Sequence, residues 1–233
     1  GVGTSYETFL EWRATAKSFT GMGAYFERPF AVSGTENAER VGGAIVSANV
    51  LELLGTHPAL GRGFVADDDR VGAPPVVVLS DQLWVSRFAS DKGIVGRSIR
   101  VNGVAHTVIG VMPPRFGFPE FAQLWLPFTP NAAGTPRGQR DFGVVARLEP
   151  GVSLATANIE MGVIAKRIEA QHPDIQGEWT AQAAPLRSQV GAMPASMYWA
   201  MLGAVSFVLL FVCANVAGLL LARGANRQRE LAI

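Results

Sequence analysis

Few residues of this chain have the types and spacing that enzyme chemistry needs. The three histidines, His57, His106 and His172, stand apart, and none has a second histidine or cysteine at metal-ligand spacing. The single cysteine, Cys213, lies in an apolar stretch, where a packing role is expected rather than a nucleophilic one. We therefore expect isolated turn or strand histidines and no catalytic or metal site.

Signatures of nucleophile and phosphate chemistry are also missing. The sequence contains neither the GxSxG pattern of a nucleophile elbow nor the GxxxxGK[ST] pattern of a P-loop. The acidic run Asp67–Asp69 lacks the alternating spacing and distal glutamate of an EF-hand, so a solvated loop is expected there. The sequence thus predicts a protein that is not an enzyme and binds no cofactor.

The composition narrows the class of protein further. The formal net charge is +1, only 17% of residues are charged and 48% are hydrophobic, with a mean hydropathy of +0.22. Disordered chains have low hydrophobicity and high charge, and nucleic-acid binders usually have a strong basic excess. These values exclude a disordered chain and argue against a nucleic-acid partner.

Residues 193–222 carry no charged side chain, and this stretch predicts one transmembrane helix. The apolar run is too long for a buried helix of a soluble protein, which is the alternative. Tyr198 and Trp199 at one end are typical of a membrane interface, and Arg223, Arg227 and Arg229 follow the other end. By the positive-inside rule, residues 223–233 are cytoplasmic, and residues 1–192 lie on the opposite, outer side of the lipid bilayer.

The N-terminus raises the question of how residues 1–192 reach the outside. It has no initiator methionine, basic segment or apolar segment of a signal peptide. Either a membrane helix precedes this sequence in a longer protein, or the topology is reversed. We favour the first, in which the sequence is a fragment of a longer membrane protein.

The local patterns predict an α+β fold. Apolar periodicity, caps and turn signals give the following elements: a helix over Ser5–Phe19, strands near Ala24–Ser33 and Glu39–Ser47, a short helix over Ala48–Leu54, a buried strand over Val76–Leu79, a helix over Ser80–Ala89, a hairpin of Ser98–Val101 and Val104–Val111 around Asn102–Gly103, an irregular crossing over Phe116–Phe128, a strand over Asp141–Leu148, a helix after Ser153 and a returning strand over Glu178–Leu186. The strand over Asp141–Leu148, the helix after Ser153 and the returning strand over Glu178–Leu186 form a strand–helix–strand unit. The first 54 residues could supply a similar unit, so the middle section reads as an insertion between two α/β halves.

Aromatic residues crowd the crossing between Phe116 and Phe128. They could line a ligand groove, but a hydrophobic core beneath a long crossing is the favoured interpretation.

The order of four stretches resembles the MacB-like periplasmic core domain joined to the second membrane helix of an FtsX-like permease, and in particular the duplicated orphan permeases of that family. The stretches are Val46–Gly55 with Pro58 and Gly61–Phe64, then Val78–Trp84 with Arg87 and Phe88, then Ile94–Gly103 with His106–Pro113, and last Asn215–Arg223 running to Arg229–Ile233.

The resemblance implies the architecture of a permease. A porter-like α/β subdomain of two strand–helix–strand units (1–54 and 140–192) would carry an inserted β-containing subdomain (55–139), followed by the membrane helix at 193–222 and the start of a cytoplasmic coupling region at 223–233. It also implies an ABC ATPase as a separate or fused partner, further permease helices arranged as a dimer, a periplasmic adaptor as a further partner, and a location in the bacterial inner (cytoplasmic) membrane.

The leading functional hypothesis is therefore a permease-subunit fragment of an ABC-type export or mechanotransmission system. Its extracytoplasmic domain would be moved by the partner ATPase through the membrane helices. The residues assigned to coupling are Arg223, Arg227, Arg229 and Glu230, and those assigned to helix packing are Gly203, Asn215 and Gly218.

The alternative is a membrane-anchored extracytoplasmic binding or sensing domain that uses residues 116–128 or the loop Asn131–Arg140 as its contact surface and has no transport role. A membrane-tethered hydrolase has little support from the residues present.

Overall fold

The computed structural model describes residues 3–33, 39–129, 141–171, 181–186 and 195–230, and within the last range it describes side chains for residues 196–217. The chain divides into two compact units, Gly1–Val190 and Gly191–Ile233. We call them the sheet unit and the helix unit and describe each by itself.

The sheet unit mixes helices and strands throughout its length. Its helices are α1 (Tyr6–Thr15), α2 (Val50–Leu53), α3 (Asp81–Phe88) and α4 (Leu154–Gln171), with short 3-10 helices at Ala66–Asp69 and Lys92–Ile94. Its strands are β1 (Phe19–Ser33), β2 (Glu39–Val46), β3 (Leu60–Gly61), β4 (Val76–Leu79), β5 (Ser98–Val101), β6 (Val104–Val111), β7 (Leu124–Pro127) and β8 (Gly143–Leu148). The α+β class is confirmed, with a porter-like fold and one candidate membrane helix at the C-terminus.

Six of the strands close into a ring of hydrogen-bonded neighbours. The strand order is β2-β7-β4-β6-β5-β1, and β1 also pairs with β2. β1 closes the ring because it is 15 residues long: Tyr25–Val32 pairs with β2, while Val32 and Ser33 pair with β5. The first part of β1 leaves the ring and pairs with β8.

Side-chain alternation along β4 divides the core between the two faces of this sheet. All four residues of β4 are buried. Val77 and Leu79 join a cluster that α3 covers with Leu83, whereas Val76 and Val78 join a cluster that α2 covers with Val50 and Leu51. Successive strand residues point to opposite faces, so burial on both sides produces the continuous apolar run seen in the sequence.

A third core cluster lies between α1, α4 and β1. The helix predicted after Ser153 is confirmed as α4, and its apolar stripe is buried at Ala157, Met161, Ile164 and Ile168. Phe9 of α1 is fully buried against the same cluster. Glu160 of α4 accepts hydrogen bonds from the main-chain N–H groups of Lys17 and Ser18 at 2.9 and 2.8 Å, which fixes the segment just before β1.

Several local predictions are confirmed. Ser5 and Ser80 cap α1 and α3, each accepting a hydrogen bond from the N–H three residues later, Thr8 and Leu83. Asn102 and Gly103 turn the β5–β6 hairpin with φ of 50° and 83°, the positive values that this two-residue turn requires.

Other predictions were wrong, and they share a cause. α1 ends at Thr15, and Phe19, predicted as its last apolar residue, begins β1 instead. The order of elements over the first 54 residues is helix–strand–strand–helix, so no strand–helix–strand unit is present there. In the predicted returning strand, residues 181–186 form no strand, and residues 178–180 lie outside the described part of the chain. In the first two cases strand pairing between distant segments decided the outcome, and no local pattern records it. In the third, the main chain of Ala183 bonds to the Asn158 side chain of α4 instead of joining the sheet.

The helix unit contains one long helix, α5 (Ala195–Glu230), of 36 residues. Within it, Ser196–Ala217 is long and apolar enough to cross a membrane, with a mean hydropathy of 2.3 over its most apolar window. None of that window is buried against other described residues of the chain.

Candidate functional site

The first candidate site is the apolar span of α5. Its large side chains are exposed, from Tyr198 at 60% and Trp199 at 71% to Phe207 at 72% and Val216 at 50%. Soluble proteins rarely expose a contiguous apolar surface of this kind, so α5 needs lipid or other helices around it.

The residues assigned to helix packing and coupling all fall on this helix. Gly203 lies within the apolar span, with open space where a Cβ would stand, and Asn215 is exposed near its end. Gly218 and the four coupling residues, Arg223, Arg227, Arg229 and Glu230, belong to the continuous helix beyond Ala217. The structure therefore places all seven on one α-helix, and their roles stay predictions.

The second candidate region is the corner where β2 passes into α2. The Ser47 hydroxyl accepts a hydrogen bond from the Ala24 N–H at 2.9 Å, and the Asn49 side chain donates to the Met22 carbonyl at 2.8 Å. Both bonds tie the corner to β1. Ser47–Asn49 belongs to one of the stretches that carry the family resemblance, and these bonds give it a structural role.

The acidic run that follows is built into the fold, so the expectation of a solvated loop was wrong for two of its three residues. Asp68 is only 8% exposed and accepts hydrogen bonds from the Arg62 guanidinium at 2.7 and 3.1 Å. It also accepts the Val65 N–H at 2.9 Å. Burial acts to raise the pKa of Asp68, but the hydrogen bonds from Arg62 and Val65 outweigh it and hold the pKa below its usual value. Asp67 alone is solvated, with a side chain 73% exposed.

The pKa of Asp69 shifts in the opposite direction to that of Asp68. Asp69 accepts the Ala48 N–H at 2.7 Å through one carboxylate oxygen, while the other oxygen is buried with no hydrogen-bond partner among the described residues. Burial raises the pKa of Asp69 to about 6, against the opposing effects of the Ala48 hydrogen bond and the positive charge of Arg13. Asp69 therefore joins the 3-10 helix to the β2–α2 corner and lies within electrostatic reach of α1.

Gly61 and Arg62, in the segment that precedes the acidic run, each have a structural role. Gly61 has a φ of +73°, and a Cβ there would collide with the carbonyl oxygen of Ile109 on β6. Only glycine meets both constraints. Arg62 then reaches Asp68, so the Gly-Arg-Gly pattern is a packing and ion-pair motif.

The third region is a cleft beside the aromatic crossing. Phe118 and Trp125 are buried at 7% and 0% exposure, which confirms a core role for them, and the Trp125 indole N–H donates to the Phe118 carbonyl at 2.8 Å. Phe121, in contrast, is 80% exposed. Phe121 borders a cleft of about 430 Å³ that Phe116 also lines, which is what the alternative interpretation, a ligand groove at residues 116–128, would require.

The remaining candidates for chemistry stand apart in the part of the chain that the structure describes. The His106 ring contacts the Val104 carbonyl oxygen at 2.9 Å, and His172 lies outside the described residues. No three histidine, cysteine, aspartate or glutamate side chains of the described ranges come together to hold a metal ion. Cys213 is a free, exposed thiol within the apolar span. The loop Asn131–Arg140, named as a contact surface, also lies outside the described residues.

Several solved structures share the fold. The periplasmic region of MacB from Actinobacillus actinomycetemcomitans aligns with a TM-score of 0.59 and 14% identity, over 74% of this chain and 76% of that one. The extracellular domain of the noncanonic ABC-type transporter YknZ from Gram-positive bacteria gives a TM-score of 0.57 at 14% identity, over 78% and 90% of the two chains. A domain of a putative permease protein from Porphyromonas gingivalis gives 0.56 at 14% identity, over 81% and 86%.

A comparison with curated proteins gave no match. The family model of the MacB-like periplasmic core domain, however, matches residues 3–162. Because this match covers more than half of the chain, the protein belongs to the family of MacB-like periplasmic core domains, which are parts of ABC transporter permeases.

Proposed function

We propose that the protein is the extracytoplasmic domain and second membrane helix of a permease subunit in an ABC-type export or mechanotransmission system. A partner ATPase would move the sheet unit by acting on the cytoplasmic end of the membrane helices. Family membership implies an ABC transporter with an ATPase partner. The subunit's place in a bacterial inner membrane, its dimeric state and a periplasmic adaptor are parts of this proposal.

The observation that carries the proposal is the continuity of α5. A helix of 36 residues is about 54 Å long at 1.5 Å per residue. Its 22-residue apolar span accounts for about 33 Å, close to the hydrocarbon thickness of a bilayer. The remaining residues continue the same helix beyond the apolar span, so force applied at Arg223–Glu230 would pass along hydrogen-bonded backbone without crossing a flexible joint.

The charge distribution supports an orientation for this helix. Arg223, Arg227 and Arg229 follow the apolar span, and basic residues favour the cytoplasmic side. In the proposed arrangement residues 1–192 are extracytoplasmic, divided into porter-like segments (1–54 and 140–192) and an inserted subdomain (55–139). Residues 193–222 cross the membrane, and residues 223–233 begin the coupling region. Gly203, Asn215 and Gly218 would contact neighbouring permease helices.

The coupling role is tested by reversing charge at the helix end in the full-length permease. The partner ATPase is first identified by affinity purification from membranes and then assayed with the permease in nanodiscs. We expect Arg227→Glu with Arg229→Glu to lower permease-stimulated ATP hydrolysis at least about tenfold, a coupling free energy of about 1.4 kcal/mol. Unchanged stimulation would contradict the coupling role.

A matched control separates coupling from net charge. Lys166→Glu with Arg167→Glu makes the same charge change on the exposed side of α4 in the sheet unit, and it should leave ATPase stimulation within about twofold. A second control concerns membrane topology, which the arginines also influence. Arg227→Gln with Arg229→Gln leaves Arg223 to orient the helix, and protease accessibility of the sheet unit checks that the topology is retained.

The alternative function, a membrane-anchored binding or sensing domain, is favoured by one observation, the cleft beside Phe121. Gene context separates the two: further membrane helices downstream and an adjacent ATPase gene support the permease.

A further inference from the structure

The cleft beside Phe121 lies at the carboxyl ends of two parallel strands. β4 and β6 pair in parallel, Val76–Leu79 against Thr107–Val111. Ser80 and Asp81 follow β4, Pro113 and Arg115 follow β6, and all four line the cleft. Side chains that follow parallel strands converge at one edge of the sheet, which is the usual position of ligand sites in α/β proteins. A volume of about 430 Å³ falls within the ordinary range for small-molecule pockets.

Apart from Ser80, whose hydroxyl caps α3, the polar side chains of the cleft make no hydrogen bond to the described residues. Arg62, Asp68, Ser47 and Asn49 of the sheet unit are all engaged in hydrogen bonds. In contrast, Asp81, Gln82, Arg115 and Gln123 line the cleft without a side-chain hydrogen bond to any of the described residues. The cleft therefore offers one anion, one cation and two amide groups that can each donate and accept.

An aromatic surface completes the lining. Phe116 borders the cleft and packs against the buried Trp125 ring at a centroid distance of 5.3 Å. Phe121 is held in place by its main chain: its φ is +71°, and its carbonyl oxygen lies where a Cβ on Gly42 would stand. The main-chain N–H of Gln123 donates to the Gly42 carbonyl at 2.9 Å and anchors the same turn to β2. These contacts anchor the main chain of Phe121 to β2, and its ring is 80% exposed at the cleft rim.

We propose that this cleft binds a zwitterionic molecule of amino-acid or dipeptide type that carries an apolar side chain. The carboxylate pairs with Arg115, the ammonium group pairs with Asp81, and the Gln82 and Gln123 amides bind a peptide group. The apolar side chain packs on Phe116 and Phe121. Opposite charges on one cleft match a zwitterion better than an anion or a cation alone, since either of those would leave one protein charge facing its own sign. This role is independent of ATPase coupling.

The test uses the full chain in lipid nanodiscs, labelled with 5-fluorotryptophan and observed by fluorine NMR. The chain has 5 tryptophans, and Trp125→Phe identifies the Trp125 resonance, which senses the cleft through Phe116. The probes are free L-leucyl-L-leucine and its N-acetylated, C-amidated analogue. We expect the free dipeptide to shift the Trp125 resonance saturably at millimolar concentration, and the blocked analogue to bind at least about tenfold more weakly.

Variants then assign the two charges. Arg115→Ala and Asp81→Asn should each weaken binding of the free dipeptide at least about tenfold, whereas Arg100→Ala and Asp67→Asn, on exposed residues elsewhere in the sheet unit, should leave it within about twofold. The charge exchange Asp81→Arg with Arg115→Asp should bind more tightly than either of its single changes, because the exchanged pair again matches a zwitterion.

Circular dichroism checks that each variant is folded. The proposal is overturned if the folded wild-type protein shows no saturable Trp125 shift with the free dipeptide. It is also overturned if the blocked analogue binds equally well, or if Arg115→Ala and Asp81→Asn leave binding unchanged.

Discussion

The sheet unit and α5 treat apolar residues in opposite ways. In the sheet unit, strands and helices of the same chain bury them: Trp125, Val77 and Leu83 are at most 1% exposed. In α5, the span Ser196–Ala217 buries none of its most apolar window. Both segments are hydrophobic, so the difference comes from what surrounds them: the first builds its own interior, and the second requires one from lipid or neighbouring helices.

The strongest way to break this comparison is to truncate a tryptophan in each unit. We expect Trp125→Ala to lower the free energy of unfolding of the sheet unit by about 3–5 kcal/mol, because it opens a cavity and removes the hydrogen bond to Phe118. Urea unfolding followed by tryptophan fluorescence measures the loss. Trp199→Ala, which changes a 71% exposed ring in α5, should leave that free energy unchanged, and an equal loss would contradict the comparison.

An arginine placed in each unit tests the same contrast through membrane insertion rather than through unfolding. Val208→Arg, within the apolar span of α5, should disfavour membrane insertion by about 2.5–3.5 kcal/mol. The measurement is the fraction of full-length chains that resist alkaline extraction from membranes. Val163→Arg on α4, where the wild-type side chain is 64% exposed, is the control and should change neither insertion nor stability by more than about 0.5 kcal/mol.

The smallest expected effect concerns Asp69, one carboxylate oxygen of which is buried with no partner in the described part of the sheet unit. Because the folded-state pKa of about 6 exceeds the ordinary value of 3.8, folding favours the protonated form. The resulting stabilisation is present at low pH and is lost as pH rises through about 6.

Asp69→Asn should therefore flatten this pH dependence and stabilise the sheet unit at pH 7.5 by about 1 kcal/mol, allowing for partial solvent screening. Urea unfolding at pH 5 and 7.5 tests it. Asp67→Asn, on a side chain 73% exposed, should leave the slope unchanged; if both variants behave alike, the burial of Asp69 is not the cause.

Sequence patterns predicted elements whose determinants are local. The Asn102–Gly103 turn, the Ser80 cap, the α4 stripe and the apolar span of α5 each depend on residues within a few positions of one another. Their boundaries agree with the structure within a few residues.

Sequence patterns failed where distant segments meet. Nothing near Phe19 records that β8 pairs with it from Leu148, or that β1 also reaches β5. The buried state of Asp68 depends on Arg62, which a motif search for calcium loops ignores. The cleft combines residues from three separate strand ends. The aromatic residues between 116 and 128 indicated one side of it. The signal that could have located the other side was the short buried run Val76–Leu79 followed directly by a capped helix, which places a strand's carboxyl end beside a helix start.

The closed ring of strands also bears on how the domain behaves among other proteins. An open sheet has two rows of unpaired N–H and C=O groups, and such rows template edge-to-edge aggregation. Within the described residues, each of the six ring strands pairs with a neighbour on both sides over at least part of its length, and the strands attached to the ring are the two-residue β3 and the six-residue β8. Just before β8, Phe142 pairs with Thr4 and shortens the free row further. The folded domain of a chain whose candidate membrane helix exposes so much apolar surface thus leaves fewer unpaired strand edges than an open sheet would.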